Sequence, residues 1–503
     1  MKLRTLGLLV VAALALAGCV ATPSADSHST PVAEQVSPAL AKFYQQRLAW
    51  SSCNGPYTCA TAVVPVDWSH PEGATVSLAL IRHAATNKKP LGSLFLNPGG
   101  PGASGVTFIR TSLDYAVDKT LTDSYDVIGF DPRGIGESDP VTCTDNAKAL
   151  DEFIYSITPG QRGSASWLAS ATTEAKAFAA GCKSHSGDLL AHMDSVSVAR
   201  DLDALRAAVG DQKLNYLGYS YGTFIGGMYA QTFPTKVGHL VLDGAVDPSL
   251  NSTDSLIAQA AGFDMALGDW AAWCLTQKDC PFTGSVATAK TQISHILATL
   301  EAQPQRGSDG RMVGADTFAT AIIAPLYSKN SWKYLTDLFT KYRDGNVDAA
   351  LSLADWYNER NSDGTYNGNQ LEGYTAVSCL DSPASAPSTW DATAERLKTA
   401  APVLGPYFSY GDVLCANWPY PAVLTPAKLG PTGSAPIVVI GTTGDPATPI
   451  AAAQSFSAQL QNGRFIAYSG EGHTGYNRGS SCVNALVDAY FVSDQAPAAT
   501  THC

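Results

Sequence analysis

Residues 214–234 read LNYLGYSYGTFIGGMYAQTFP and contain the most informative local pattern of the sequence. Its apolar start is typical of a buried strand, and the residues after Gly222 have the pattern of a helix. Between them stands GYSYG, in which Ser220 lies between two glycines. Gly-x-Ser-x-Gly on a strand-to-helix turn is typical of a nucleophile elbow, which exposes a serine hydroxyl above the carboxyl edge of a sheet. We therefore predict that Ser220 is a nucleophile and that the N–H of Tyr221 faces an incoming carbonyl oxygen.

Apolar runs and helical patterns alternate on both sides of this stretch. The segment VSVARDLDALRAAVG, residues 196–210, places Val198, Leu202 and Leu205 on one helical face and ends at a glycine. Near-continuous apolar strands separated by helices predict an open α/β fold with a mostly parallel sheet covered on both faces. The predicted strands are VSLALIRHAA, LGSLFLNPGG, YDVIGFDPRG, LNYLGYS, HLVLDGAVDP, APIVVIGTTGDP and RFIAYSGEGH.

One long region interrupts this alternation. Helical patterns such as VATAKTQISHILATLEA and SWKYLTDLFTKY follow one another with no clear strand between them, and strands resume at APIVVIG. We predict a helical insertion over residues 249–431. The sheet domain would then consist of residues 46–248 and residues 432–503.

The composition limits the possible partners. Only 15% of the residues are charged and the net charge is −12, which argues against binding to the phosphates of nucleic acid.

The N-terminus has two basic residues, Lys2 and Arg4, then an apolar stretch over residues 6–17 that is too short for a comfortable membrane span. This is the pattern of an export signal.

The signal ends in Leu-Ala-Gly-Cys at Cys19, which resembles the lipobox of bacterial lipoproteins. We predict a signal peptide over residues 1–19, lipidation of Cys19, and a location on the outer face of the cell membrane. An ordinary cleaved signal with an incidental cysteine is the alternative. Residues 20–45 are rich in Ser, Thr, Pro and Ala and are predicted to be a disordered tether. The lipid would be the sole membrane contact.

The remaining ten cysteines form an even set, which suits disulfides in an oxidising compartment. No Cys-x-x-Cys spacing points to zinc, and we predict no metal site. Pairing in the order of the sequence predicts the bridges Cys53–Cys59, Cys143–Cys182, Cys274–Cys280, Cys379–Cys415 and Cys482–Cys503, although sequence alone does not prove connectivity.

A nucleophilic serine needs a base and an orienting carboxylate, which in this arrangement follow the serine at the ends of later strands. His473 stands in the turn SGEGHTG after the final strand, and we predict that it is the base. Asp445 follows APIVVIGTTG and is the predicted acid. Order and position favour it over three competing carboxylates, which are Asp131, Asp243 and Asp247.

The second oxyanion donor is predicted from the glycine-rich turn LNPGGPG, residues 96–102. Glycines let backbone N–H groups approach a ligand with no Cβ in the way, and we choose Gly100. A tight turn that needs Gly and Pro for its own geometry is the structural alternative. The resulting serine mechanism needs no cofactor.

Several motifs in one order carry a family resemblance from about Trp50 to Cys503: NPGGPG, FDPRGIGES, GYSYG, LDGAVDP, AVSCLDS, GDPATP and GEGHT. With the lipobox and the dispersed cysteines, the chain resembles the secreted tripeptidyl aminopeptidase family of α/β-hydrolases, which includes bacterial cell-envelope serine proteases. The resemblance implies an α/β-hydrolase fold with a helical lid, the triad Ser220, Asp445 and His473, and an oxyanion hole at Gly100 and Tyr221. It also points to Thr448 as a residue beside the site.

The resemblance implies hydrolysis of peptide bonds in a peptide or protein substrate, with release of tripeptides or short peptides from free N-termini. Such an enzyme must hold a free amino group, for which Glu372 and Asp381 are the candidate carboxylates. Related proline iminopeptidases begin the glycine loop with His, whereas this chain has Pro98, which argues against strict proline specificity. A carboxylesterase, a limited endopeptidase of envelope proteins and an inert binding protein are the alternatives.

Overall fold

The computed structural model describes residues 27–503, whose strands form an eleven-stranded sheet and a two-stranded hairpin. The predicted signal peptide with Cys19, and residues 20–26 of the predicted tether, lie outside the described residues. The strands are β1 (Ser27–His28), β2 (Ala49–Cys53), β3 (Tyr57–Pro65), β4 (Thr75–His83), β5 (Ser93–Asn97), β6 (Asp126–Phe130), β7 (Leu214–Tyr219), β8 (Val237–Asp243), β9 (Gln305–Arg306), β10 (Met312–Val313), β11 (Ile437–Gly444), β12 (Gly463–Glu471) and β13 (Thr500–His502).

Residues 27–503 contain eighteen helices, which cover the sheet or belong to two excursions of the chain between strands. They are α1 (Pro38–Tyr44), α2 (Gly105–Ala116), α3 (Lys119–Ser124), α4 (Ala147–Tyr155), α5 (Ala165–Ser186), α6 (Ser195–Val209), α7 (Gly222–Thr232), α8 (Ser252–Cys274), α9 (Val286–Ala302), α10 (Ala315–Leu326), α11 (Trp332–Arg343), α12 (Asp348–Tyr357), α13 (Gln370–Asp381), α14 (Trp390–Ala400), α15 (Gly405–Phe408), α16 (Asp412–Cys415), α17 (Ile450–Gln459) and α18 (Ser481–Ser493). Short 3-10 turns lie at Gly187–His192, Pro234–Lys236, Lys329–Ser331 and Pro387–Thr389.

The large sheet has the strand order β1-β2-β3-β4-β6-β5-β7-β8-β11-β12-β13. Strands from β6 to β13 pair in parallel, and those from β1 to β4, with the β4–β6 pair, are antiparallel. One face packs under α6, α7 and α17, and the other under α2 and α18. The predicted α/β fold with a mostly parallel sheet is confirmed. Because parallel strands end at the same edge, the loops after β5, β7, β8, β11 and β12 meet there.

All seven predicted strands form, as does the predicted helix α6, which ends at Gly210 in the left-handed conformation. The antiparallel strands β2 and β3 were not predicted. Strand β3 buries small alternating residues, Ala60, Ala62 and Val64, beside polar ones, so its apolar signal is weak. The hairpin of β9 and β10 inside the helical region was also not predicted, because each strand has two residues.

The prediction of a disordered tether over residues 20–45 is wrong for its described part. Strand β1 pairs with β2, and the Val32 N–H donates to the Ala207 carbonyl at 2.9 Å. Phe43 and Tyr44 on α1 are 2% and 5% exposed in the core beneath α6. The Ser, Thr, Pro and Ala content of this segment concealed a small set of apolar side chains that is large enough to order it.

The helical cover comes from two excursions of the chain. Between β8 and β11 the described chain contains α8 to α16, the short hairpin and their connecting loops. A second excursion after β6 contributes α4 and α5, which pack against the insertion. Arg360 of the insertion forms a bidentate ion pair with Asp151 of α4 at 2.7 and 2.8 Å. The excursion after β6 was not recognised from the sequence.

Five disulfides join the pairs that were predicted from sequence order: Cys53–Cys59, Cys143–Cys182, Cys274–Cys280, Cys379–Cys415 and Cys482–Cys503.

Among residues 27–503, no helix combines the length and apolar character needed to cross a bilayer. In the same part of the chain, no group of three or more His, Cys, Asp or Glu side chains is arranged to hold a metal ion.

Candidate active site

Ser220 stands on a sharp turn between β7 and α7. Its φ is +54°, a left-handed backbone that a non-glycine residue rarely adopts. The Ser220 N–H donates to the Asp243 carbonyl at 2.9 Å, which fastens the turn to the end of β8. A Cβ on Gly218 would lie 2.5 Å from the Gly222 carbonyl oxygen, so the close approach of strand and helix requires glycine there. The structure therefore places Ser220 in the predicted elbow, at the carboxyl edge of the sheet.

His473 and Asp445 meet at the same edge. The Nδ1 atom of His473 lies 2.9 Å from both carboxylate oxygens of Asp445. The Nε2 atom is buried and has no hydrogen-bond partner among the described residues. With its Nδ1 proton directed at the carboxylate, the imidazole presents an unoccupied Nε2 for a proton from a nucleophile.

The segment Asp243–Gly244 lies between the serine and the histidine. Asp243 accepts the Ser220 N–H through its carbonyl, and a Cβ on Gly244 would lie 3.2 Å from Cε1 of His473. Ser220 and His473 are thus placed on either side of two consecutive residues. The structure therefore brings Asp445 and His473 into contact and places Ser220 at the same edge of the sheet, while the described hydrogen bonds include none between Ser220 and Nε2 of His473.

Asp445 is fully buried and its carboxylate is held by backbone donors. Oδ1 accepts the N–H groups of Ala447 and Thr448, each at 2.9 Å, and Oδ2 accepts the N–H of Thr474 at 3.1 Å. A buried carboxylate needs such donors to stay in place. The turn after β11 therefore fixes the acid in the orientation that meets the imidazole.

Thr448, which the family resemblance pointed to, touches both partners of this pair. Its Oγ1 lies 3.1 Å from Oδ2 of Asp445 and 3.3 Å from Nδ1 of His473. Thr448 is 6% exposed and borders the cavity at Ser220. Thr448 is therefore in a position to restrict the orientation of the imidazole.

The helical insertion contacts the histidine from outside the sheet domain. The backbone N–H of His473 donates to the backbone carbonyl of Tyr327, which follows α10, at 2.8 Å. The ring of Tyr327 packs edge-on against the imidazole, with 5.5 Å between the ring centres. No local pattern predicts this contact, because it joins residues that are far apart in the chain.

The glycine turn that carries one predicted oxyanion donor, Gly100, packs against the residue that carries the other, Tyr221. Gly99 and Gly100 have φ values of +93° and +104°, and a Cβ on Gly99 would lie 2.8 Å from the Tyr221 nitrogen. The glycine turn therefore packs directly onto the elbow. The N–H groups of Gly100 and Tyr221 donate to no acceptor among residues 27–503, and both residues border the cavity at Ser220. This arrangement suits two donors waiting for a ligand oxygen.

Two competing carboxylates have structural partners of their own. Asp131 accepts the Ser104 hydroxyl at 2.6 Å, at the start of α2. Asp243 accepts the N–H groups of Gly475 and Tyr476 at 2.8–3.0 Å, and burial raises its pKa to about 6. Neither side chain contacts Nδ1 of the predicted base, and both hold loops at the edge of the sheet.

A cavity of about 600 Å³ opens at Ser220 between the sheet edge and the insertion. Its walls are mainly apolar, with side chains such as Phe224, Met228 and Leu414. The charged side chains that line it are three carboxylates, Asp247, Asp381 and Asp412, and no lysine, arginine or histidine is among its lining residues. The site therefore offers a substrate an apolar surface and negative charge.

The two candidates for an amino-group anchor differ in position. Glu372 does not line this cavity; it is 4% exposed and accepts the Cys143 N–H at 3.3 Å. Asp381 does line the cavity, but both of its oxygens already accept hydrogen bonds from Ser195 or Tyr221. Burial raises the pKa of Glu372, and it raises the pKa of Asp381 to about 7.

Asp412 was not found from the sequence. It accepts the Ser385 N–H through Oδ2 at 2.9 Å, and it opens the short helix α16 at the wall of the cavity. The bridge between Cys379 and Cys415 brings this helix beside α13. The predicted pairing of these cysteines was the signal that could have placed Asp412 near Asp381.

Comparison with known proteins shows the family of this chain. The family described as the alpha/beta hydrolase fold matches residues 92–477. The chain is similar to the serine protease Hip1 of Mycobacterium tuberculosis, at 35% identity over 98% of this chain and 96% of that protein. It is similar to carboxylesterase B of the same organism, at 37% identity over 99% and 96%. It is also similar to the tripeptidyl aminopeptidase of Streptomyces lividans, at 30% identity over 99% and 96%. The resemblance inferred from the motifs is confirmed.

Proposed function

We propose, because this chain belongs to the α/β-hydrolase family and is a serine hydrolase of the peptidase type, that it removes tripeptides or other short peptides from free N-termini. The proposal also assigns the reaction to Ser220, His473 and Asp445. Their arrangement at one edge of the sheet supports acyl transfer through a serine nucleophile.

Acylation would begin with the peptide carbonyl seated between Ser220 and the two free N–H groups. The Ser220 hydroxyl attacks the carbonyl carbon while Nε2 of His473 accepts its proton, and Asp445 stabilises the imidazolium that forms. The carbonyl oxygen becomes an oxyanion and accepts hydrogen bonds from Gly100 and Tyr221. His473 then gives its proton to the leaving amine, the C–N bond breaks, and an ester to Ser220 remains.

Deacylation would use the same groups with water as the nucleophile. Nε2 of His473 accepts a proton from water as its oxygen attacks the ester carbon. The same two N–H groups hold the second oxyanion, and the Ser220 oxygen leaves with the proton from the imidazolium. The short peptide is released as a carboxylic acid, and the serine is regenerated.

The observation that carries the choice of substrate is the charge of the cavity. Asp247, Asp381 and Asp412 line it, and no basic side chain does. A free α-ammonium group would be attracted to this surface, whereas a free carboxylate would be repelled. Asp412 is the most available of the three, because it is half-buried whereas Asp247 and Asp381 are 6% and 7% exposed, and none of its described hydrogen bonds involves Oδ1.

The test compares tripeptide amides that have a free amino terminus with their N-acetylated copies on soluble protein that lacks residues 1–19. We expect kcat/KM for the free amine to exceed that for the acetylated peptide by about tenfold or more, as one ionic hydrogen bond allows. Asp412→Asn should reduce this preference through KM. Asp337→Asn, an exposed carboxylate of α11 that is paired with Lys341, is the matched control and should not. Equal rates on blocked peptides would indicate an endopeptidase.

Carboxylesterase activity is the second candidate, supported by the similarity to a mycobacterial carboxylesterase and by the apolar cavity wall. The triad serves an ester as well as an amide, so the choice depends on the substrate. A short acyl ester belongs in the same assay. Hydrolysis of the ester with no turnover of either tripeptide amide would select the esterase and overturn the peptidase proposal.

We also propose that the protein is exported and tethered to the outer face of the cell membrane through a lipid on Cys19. The signal-like residues 1–19 and their terminal cysteine support this. Residues 20–26 could span at most about 25 Å between the lipid and strand β1, so the body would lie close to the membrane. Mass analysis of the mature N-terminus should find an acylated Cys19. A mature chain that begins at any other residue would contradict the proposal.

A further inference from the structure

The two tyrosines of GYSYG have opposite attachments. The hydroxyl of Tyr219 donates to the carbonyl of Ala116, at the end of α2, inside the sheet domain. The hydroxyl of Tyr221 donates to Oδ2 of Asp381, the last residue of α13 in the insertion. The residue before the nucleophile is therefore attached to the core, and the residue after it is attached to the insertion.

Asp381 connects three segments that are distant in sequence. Its Oδ1 accepts the Ser195 N–H at 2.9 Å, and its Oδ2 accepts the Ser195 hydroxyl at 2.5 Å in addition to the hydroxyl of Tyr221. The residue is 7% exposed. An ionised carboxylate accepts all three donors at once, and removing a buried acceptor would leave them unpaired.

Tyr221 is the elbow residue whose backbone has a chemical task. Its N–H donates to no described acceptor and borders the cavity beside Ser220. The core holds the neighbouring Ser220 by its own N–H and by its carbonyl, which accepts from Thr223. The carbonyl of Tyr221 accepts the N–H groups of Phe224 and Ile225 at 3.0 and 3.3 Å. Its side chain is held by Asp381 and by the Phe224 ring, with 5.4 Å between the ring centres.

We propose that Asp381 is a positioning residue that acts through the Tyr221 hydroxyl to hold the Tyr221 N–H in line with the oxyanion. The position in which helix α13 packs thereby affects turnover, and Tyr221, the residue after the nucleophile, transmits the effect. This inference rests on the serine-hydrolase assignment and on the proposed oxyanion role of Tyr221. It is independent of whether the natural substrate is a peptide or an ester.

The test is a double-mutant cycle of Tyr221→Phe and Asp381→Asn, assayed with p-nitrophenyl butyrate and with free and N-acetylated tripeptide amides. We expect each single variant to lower kcat about tenfold on every substrate that the wild type turns over, with KM changed less than about twofold, since one hydrogen bond is lost. The double variant should be no slower than the worse single variant, because both changes break the same contact.

Tyr219→Phe is the matched control, since it removes the other hydroxyl of the same motif, and its kcat should stay within about twofold of wild type. Effects that multiply in the double variant would overturn the proposal. So would a rise in KM for free-amine peptides alone in Asp381→Asn, which would make Asp381 an amine anchor instead. If Asp381→Asn fails to fold, the comparison of Tyr221→Phe with Tyr219→Phe decides, and equal kcat in the two would overturn the proposal. The assay with p-nitrophenyl butyrate still tests the proposal if peptides are not substrates.

Discussion

The sheet edge and the helical insertion hold their carboxylates in different ways. Asp445, at the end of β11, receives its donors mainly from the backbone of its own turn and of the next loop. Asp381, at the end of α13, receives its donors from Ser195 and Tyr221, which lie 186 and 160 residues away. The first arrangement is built into the strand ends of the fold, whereas the second depends on how the insertion packs. Under the proposed function, the sheet edge would supply the chemistry, and the insertion would supply part of the cavity wall and the partner of Tyr221.

The largest expected effect belongs to the nucleophile. Ser220→Ala should lower kcat by a factor of about 10⁴ or more on any ester or peptide substrate, because the remaining site has no group to form the acyl-enzyme. Steady-state hydrolysis of a chromogenic ester measures the loss. Far-ultraviolet circular dichroism and the melting temperature should remain those of the wild type. Retention of activity would show that the chemistry does not reside at the sheet edge.

The second prediction concerns the disulfide between Cys379 and Cys415 at the cavity wall. It separates the effect of this bridge on KM from its effect on the free energy of unfolding. Replacing both Cys379 and Cys415 by serine should lower the free energy of unfolding by about 4 kcal/mol, since the bridge spans 36 residues. It should also raise KM, because α13 and α16, which it joins, both line the cavity. The matched control is replacement of Cys482 and Cys503, whose 21-residue bridge lies at the C-terminus and should cost about 3 kcal/mol.

Denaturant unfolding and steady-state kinetics together test this pair of variants. The two double variants should lose similar stability, while KM should rise by about threefold or more only when the bridge at the cavity is removed. An equal KM in both variants would mean that the insertion does not need this bridge to shape the cavity.

The third prediction concerns Thr448 within the sheet edge. Thr448→Val removes the hydroxyl that contacts Asp445 and His473 and keeps the shape of the side chain, so kcat should fall about tenfold. Thr448→Ser keeps the hydroxyl and should retain most of the activity. If the serine and valine variants are equally slow, the methyl group and not the hydrogen bonds would be the feature that matters.

The smallest expected effect is a pH dependence of stability that arises from the insertion. Burial raises the pKa of Asp381 to about 7 in the folded protein, above its ordinary value in the unfolded chain. A raised carboxyl pKa means that the folded state holds its proton longer, so this group's contribution to stability falls as pH rises toward and through 7. The asparagine in Asp381→Asn does not titrate.

The melting temperature of Asp381→Asn relative to wild type should therefore rise by about 2 °C or more between pH 5 and pH 8. Thermal melts of the two proteins in matched buffers measure this difference. A relative melting temperature that stays constant or falls over this range would contradict the raised pKa.

The sequence predicted the sheet edge well because its signals are local. Ser220 is identified by five residues on a strand-to-helix turn, and Asp445 and His473 by their places just after apolar strands. All seven predicted strands form. The order of the cysteines also sufficed, since each bridge joins neighbours in the series of cysteines.

The contacts of the insertion could not be predicted, because they join residues that are far apart in the chain. A helical pattern gives the face of a helix but not its partner, so neither the buried bond of Glu372 to Cys143 nor the position of Asp412 was foreseen. The segment over residues 27–45 was predicted to be part of a tether because it is rich in Ser, Thr, Pro and Ala. That composition does not indicate that Phe43 and Tyr44 pack under α6. Patterns that repeat within a few residues report on strands and turns, whereas the walls of the cavity depend on segments more than a hundred residues apart.

We have proposed Ser220, activated by His473 and Asp445, as the nucleophile of this hydrolase. The most direct test is to treat the protein with diisopropyl fluorophosphate and map the adduct by peptide mass spectrometry. We expect one phosphoryl adduct, on the peptide that contains Ser220, with no adduct in Ser220→Ala and labelling slowed by at least about 100-fold in His473→Ala. An adduct on a different residue, or undiminished labelling of the His473→Ala variant, would contradict the account.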